Sequence, residues 1–174
     1  TASGYNDRIQ KYTSEGVYVS QWGIWGAWAG IDGDGDFFFP KGVAVAPDGS
    51  VYVSDRHGIQ KLTSEGVYVN RLVNEFNSPH GVAVASDGSV YVADTGNGRI
   101  QRFTSEGVFV SEWGTQGPRD EQFRNPAGVA VAPDGSVYVA DTDNHRIQRF
   151  TAEGEFVSQW GTEGSGDGQF DHSY

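Results

Sequence analysis

One string recurs through this chain and limits its fold more than any other feature. GVAVAPDGSVYV stands at Gly42–Val53 and again at Gly128–Val139, and GVAVASDGSVYV stands at Gly81–Val92. A second block follows each copy: IQKLTSEGVYV at Ile59–Val69, IQRFTSEGVFV at Ile100–Val110 and IQRFTAEGEFV at Ile147–Val157. The second block also opens the chain, as IQKYTSEGVYV at Ile9–Val19, with no first block before it. The unit therefore returns every 40–50 residues or so, the length of one supersecondary unit in a repeat architecture.

Each unit reads as four short strands. GVAVA alternates and stops at P/S-D-G-S, where Asp and Gly suit a tight turn with positive φ. SVYVAD alternates again, with Val and Tyr suited to a pleated, half-buried surface. A polar turn, T-G-N-G or T-D-N-H, leads to RIQRF; T-S-E-G then leads to the last strand, GVFVSEWG. No helical period runs through any of it, so the pattern predicts an all-β chain. A lone four-stranded sheet cannot bury both faces, and stacking such sheets face to face around an axis does. The predicted fold class is a β-propeller of four-stranded antiparallel blades, with turns at Asp48-Gly49, Asp87-Gly88 and Asp134-Gly135.

The units resemble NHL repeats, whose pattern runs N-P-x-G-V-A-V, then D-G-x-V-Y-V-A-D-T-x-N-x-R-I-Q-x-F. Asn125-Pro126-Ala127-Gly128 through Arg146-Ile147-Gln148 follows it nearly throughout, and the linker Gly161–Phe170 is similar to the family's. The second unit departs: its turn, Ser54-Asp55-Arg56-His57-Gly58, is about two residues short, and the 22–40 loop is longer. The resemblance implies a ring of about six blades, of which this chain holds about three and a half. The frame expected from the repeat is one domain over 1–174. It comprises the outer two strands of a partial blade plus linker (1–36), then blades over 37–76 and 77–123, then a blade with the start of the next (124–174). Met is absent even at position 1, so the chain is expected to be processed or part of something longer.

The formal charge is −11, from 23 acidic and 12 basic residues, and the basic residues form no run. That field opposes a phosphate backbone, so no nucleic-acid partner is expected. No apolar run approaches the length of a membrane span. The absence of cysteine excludes disulfides, thiolate metal sites and cysteine nucleophiles, and it fits an extracellular or periplasmic chain.

Several residues could carry chemistry. His80, in Ser78-Pro79-His80-Gly81, sits before a first strand, the strand that lines a propeller's channel. A similar step occurs in related lyase propellers, and that resemblance makes His80 a metal-ligand candidate, although several convergent ligands are needed. Asp32-Gly33-Asp34-Gly35-Asp36 spaces alternate carboxylates as calcium loops do, but the position for the closing acid is Val43. No cofactor is expected; calcium and zinc are those these residues would admit. Asp55, Asp94 and Asp141 repeat at the end of the second strand, and Arg99 and Arg146 at the start of the third, which reads as a structural pair in each blade. Trp22, Leu72, Trp113 and Trp160 share one position and are expected between blades. Trp25 and Trp28 have no repeat equivalents. With Arg56, His57, Asn97, Asp143, Asn144 and His145 they form the expected binding set, on the face that carries the second-to-third-strand turns.

No phosphate loop, G-x-S-x-G or H-E-x-x-H occurs. The expected function is a non-catalytic binding or scaffolding propeller that recognises protein or glycan through one loop face. Two alternatives stay open. One is part of a metal-dependent propeller lyase or lactonase. The other is a structural subunit of an extracellular assembly, joined through open blade edges; an additional chain or missing blades would complete the ring.

Overall fold

The computed structural model describes residues 2–3, 7–23 and 35–171. Four sheets follow one another along the chain. The first holds β1 (Ala2–Ser3), β2 (Arg8–Tyr12) and β3 (Tyr18–Trp22). The second holds β4 (Gly42–Val45), β5 (Val51–Asp55), β6 (Gly58–Leu62) and β7 (Tyr68–Leu72). The third holds β8 (Val82–Val84), β9 (Val90–Asp94), β10 (Arg99–Phe103) and β11 (Phe109–Trp113). A short parallel pair, β12 (Thr115–Gln116) with β13 (Gln122–Phe123), leads to the fourth sheet. That sheet holds β14 (Pro126–Val131), β15 (Val137–Asp141), β16 (Arg146–Phe150) and β17 (Phe156–Trp160). A second such pair, β18 (Thr162–Glu163) with β19 (Gln169–Phe170), follows. The three four-stranded sheets are antiparallel meanders, and the helical content among the described residues is two single turns, Thr95–Asn97 and Thr142–Asn144.

The first sheet differs from the frame read in the sequence. The repeat assigns it two outer strands, and the structure adds a stub of a third, with Ala2 opposite Ile9 and Ser3 opposite Arg8. In the third sheet the same register sets Ala93 opposite Ile100 and Asp94 opposite Arg99. Ala2-Ser3 is thus the end of a second strand. Ser3 stands where the other blades carry Asp, which removes the residue that marks that position in sequence.

The Asp-Gly turns form where the sequence places them. The Gly49 N–H donates to Ala46 O at 2.9 Å with Gly49 at φ +85°, and Gly88 and Gly135 repeat this on Ala85 and Ala132. Asp48 accepts from the Ser50 N–H at 2.8 Å, which holds its carboxyl below the ordinary range, and Asp87 and Asp134 do the same.

The core is a series of inter-sheet layers. Ile9, Phe37, Val51, Val53 and Leu62 fill the first junction. Tyr52, Ile59, Leu72, Val82, Val90, Val92 and Phe103 lie in the second. Tyr91, Ile100, Phe123, Val137, Val139 and Phe150 lie in the third. Each junction carries the same knob. Trp22 lies against Gly66, Leu72 against Gly107 and Trp113 against Gly154, so the large residue ending each fourth strand rests on the S/A-E-G turn of the next blade. Tyr52 and Tyr91 bridge the same junctions, donating to Ser105 O at 2.9 Å and Ala152 O at 3.2 Å.

Trp160 is the same residue without a following turn among the described residues, and it is 45% exposed. In the 174-residue chain Trp113→Ala is therefore expected to cost about 2–3 kcal/mol, somewhat below the range for a fully buried ring. Trp160→Ala should cost less than about 1 kcal/mol. Equal losses in urea unfolding would refute this assignment of the knobs.

Candidate functional site

A meander sorts its connections to two ends. The Asp-Gly-Ser turns and the S/A-E-G turns lie at one end. The second-to-third-strand turns and the linkers between blades lie at the other. At the linker end the repeated polar residues are used for structure. Asp94 is fully buried. It accepts from the Asn77 N–H (2.7 Å), Asn97 Nδ2 (2.8 Å), Arg99 Nε (2.8 Å) and Gln101 Nε2 (2.8 Å). Asp141 repeats the arrangement with the Arg124 N–H (2.7 Å), Asn144 Nδ2 (2.9 Å), Arg146 Nε (2.7 Å) and Gln148 Nε2 (3.1 Å).

The second blade keeps the acid and relocates the cation. Gly58 holds the arginine's place opposite Asp55. Asp55 accepts from the His57 N–H at 2.8 Å and from Gln60 Nε2 at 3.1 Å. Arg71, on the fourth strand, reaches it at 4.0 Å.

The residues expected to bind divide accordingly. Asn97 and Asn144 have their amides committed to Asp94 and Asp141, and to Glu75 O and Gly117 O. His145 caps its turn at φ +51°, with Nδ1 3.0 Å from Phe170 O. Asp143 is exposed on a cavity it shares with Arg124 and Asn125. Arg56 and His57 are exposed; the Arg56 guanidinium lies 5.7 Å from the centre of the Phe38 ring, and the His57 ring packs on the same phenyl at 5.4 Å. Trp25 and Trp28, like Asp32 and Asp34 of the acidic loop, lie outside the described residues.

His80 and Arg56 meet. With Phe39, Lys41, Ser78 and Pro79 they line a cavity of about 300 Å³ where the second and third blades join at their first strands. Its walls come from two copies of one motif, Phe39-Pro40-Lys41-Gly42 and Ser78-Pro79-His80-Gly81, plus the short turn at Arg56. Three of the lining backbone N–H groups bond to carbonyls. The Lys41 N–H donates to Ser54 O, the His80 N–H to Ala93 O, and the Arg56 N–H to Phe38 O, at 2.9–3.0 Å. The Ser54 hydroxyl donates to His80 O across the blade junction.

Burial lowers the pKa of His80, and the nearby Lys41 ammonium lowers it further. Among the described residues no three His, Asp or Glu side chains converge, and the ionisable groups that line the cavity with His80 are the cations Lys41 and Arg56. That donor set does not suit a divalent ion at His80. Sequence reasoning singled out Arg56 and His80 separately and left out Lys41, Phe39 and Ser78. The signal was present: in the third motif copy these positions read Asn125 and Ala127, so they are the ones that vary.

Phe39 and Ser78 carry a further mark. Both precede proline and both adopt left-handed φ, +52° and +50°, as does Asn125 at +55°. Asn tolerates that region, whereas Phe does so at a cost.

The NHL repeat family model matches residues 76–103 and 123–150. No curated protein matches the chain. Among solved structures, a streptogramin B lyase superposes with TM-score 0.65 at 20% identity, over 90% of this chain and 48% of its own. Virginiamycin B lyase from Staphylococcus aureus gives 0.64 at 15%, over 90% and 49%. A gluconolactonase from Xanthomonas campestris gives 0.65 at 16%, over 90% and 56%. The chain spans about half the length of these structures, and identities this low establish a shared fold. Repeated four-stranded blades and knobs shared between blades give this chain a β-propeller fold, with NHL repeats at residues 76–103 and 123–150.

Proposed function

We propose that the chain is a binding propeller that recognises a protein or glycan at its linker end, without chemistry of its own. One observation carries the reading. The polar residues that recur in the blades are tied into the scaffold, whereas residues that depart from the repeat, Phe39, Lys41, Arg56, Ser78 and His80, gather around one cavity. Residues the scaffold does not require, placed together on a loop face, are what a recognition site needs. The lyase and lactonase neighbours share the fold, and fold by itself does not transfer activity.

A printed glycan panel and a displayed peptide library test this. Binding to a subset of ligands should fall at least tenfold in an Arg56→Ala/His80→Ala variant. Trp25→Ala/Trp28→Ala probes the 23–35 insertion, and Asp134→Ala/Glu153→Ala, at the end opposite the cavity, should leave binding unchanged. If only the last pair weakens binding, recognition lies at the other end and the reading fails.

A further inference from the structure

We propose that the cavity between the second and third blades is a site for an organic carboxylate, gripped by Lys41 and Arg56 beside His80, with Phe39 and Pro79 packing on its apolar body. The proposal rests on the binding reading above and names the ligand's chemical class.

Three of the six lining residues are Lys, Arg and His, in a chain whose net charge is −11. Neither Lys41 nor Arg56 takes part in an ion pair among the described residues. The fold does not ask for these cations. The next motif copy has Ala127 in the place of Lys41 and His80, and the turn at Arg56 is elsewhere Thr-Gly-Asn or Thr-Asp-Asn. The contact of Arg56 with Phe38 is a ring-face contact at 5.7 Å, of a kind that is weak when exposed. It does not use the N–H fork that reads carboxylates. Lys41 and Arg56 open onto one cavity beside a half-buried imidazole that burial and Lys41 hold toward its neutral form, and the Asp7 carboxylate accepts from the Phe39 N–H of the lining.

The donors available select the anion. Phosphate sites typically draw on several backbone N–H groups. Here the N–H groups of Lys41, Gly42, Arg56, His80 and Gly81 are all bonded within the protein. Two side-chain cations and the Ser78 hydroxyl line the cavity, a donor set that suits one carboxylate, with the planar guanidinium able to meet both oxygens. Phe39 and Pro79 add an apolar wall. The cavity sits at the small end of ligand pockets, which suits one acidic group on a compact body.

The experiment is an NMR titration of the 15N-labelled chain with sodium benzoate, and in parallel with benzamide, which keeps the ring and loses the charge. Millimolar benzoate is expected to shift the amide signals of His80 and Gly81 and to move the His80 imidazole pKa upward. Benzamide should do neither. Lys41→Gln/Arg56→Gln, both at exposed positions, should weaken benzoate binding at least tenfold, and Lys41→Arg should retain it. Equal responses to benzoate and benzamide, full binding by the double variant, or no response at His80 would each overturn the proposal. The two readings fail separately. A neutral glycan bound at this end with benzoate inert removes the carboxylate and keeps the binding face. Benzoate bound here, with glycan or peptide recognition mapped to the opposite end, does the reverse.

Discussion

Asp94→Ala is expected to lower the stability of the folded chain by about 3–5 kcal/mol, the range for removing one partner of a buried ion pair. Asp94 has no exposed surface, and four donors converge on it: the Asn77 N–H and the side chains of Asn97, Arg99 and Gln101. Alanine strips all four at once, and the fully buried Gln101 amide loses an acceptor that water cannot replace. Arg99 suffers less, since its Nη atoms keep Glu112 at 2.7 Å and Glu75 O at 2.6 Å. Asp55→Ala is the comparison. Its carboxylate meets one cation at 4.0 Å and two other donors, so its loss should fall to about 1–3 kcal/mol, the cost of leaving buried donors unmade. Urea midpoints at constant m-value measure both. A loss at Asp55 equal to that at Asp94 would show that the arginine contributes nothing.

Gly81→Ala should cost about 3 kcal/mol, at the upper end for overpacking, although only one methyl is added. A Cβ on Gly81 would stand 2.5 Å from Ala127 O and 2.8 Å from Val129 N, both backbone atoms of the next blade's first strand. Gly81 also donates its N–H to Ala127 O at 2.7 Å, so the two strands cannot separate without losing that bond. Gly42 meets His80 O in the same way, at 2.5 Å from the Cβ position. Glycine at these two places lets successive first strands approach backbone to backbone. A Gly81→Ala protein with an unchanged urea midpoint would mean that the junction yields, contrary to this packing.

The blades were legible because their determinants are local. A D-G turn, a VYV strand and an IQRF strand lie within one hairpin, and the Asp94–Arg99 and Asp141–Arg146 pairs follow from the register that hairpin imposes. The stub at Ala2–Ser3 was not legible, because Ser3 stands where the repeat has Asp. The shared position of Trp22, Leu72, Trp113 and Trp160 signalled contacts between blades. Their seats, the glycines of the next blade's S/A-E-G turns, emerged only from the packing of one blade on the next.

The candidate site divides along the same line. By itself the sequence determined four-stranded blades, their turns, the end at which the variable loops lie and the residues that break the repeat, since alternation and turn chemistry act over a few residues. The tertiary structure alone decided that Lys41 at the head of β4, Arg56 in the turn after β5 and His80 at the head of β8 face one cavity. These residues belong to different connections of two blades. Their meeting depends on how closely two first strands approach, and that distance is set by Gly42 against His80 O and by the Ser54 hydroxyl bridging to the same oxygen.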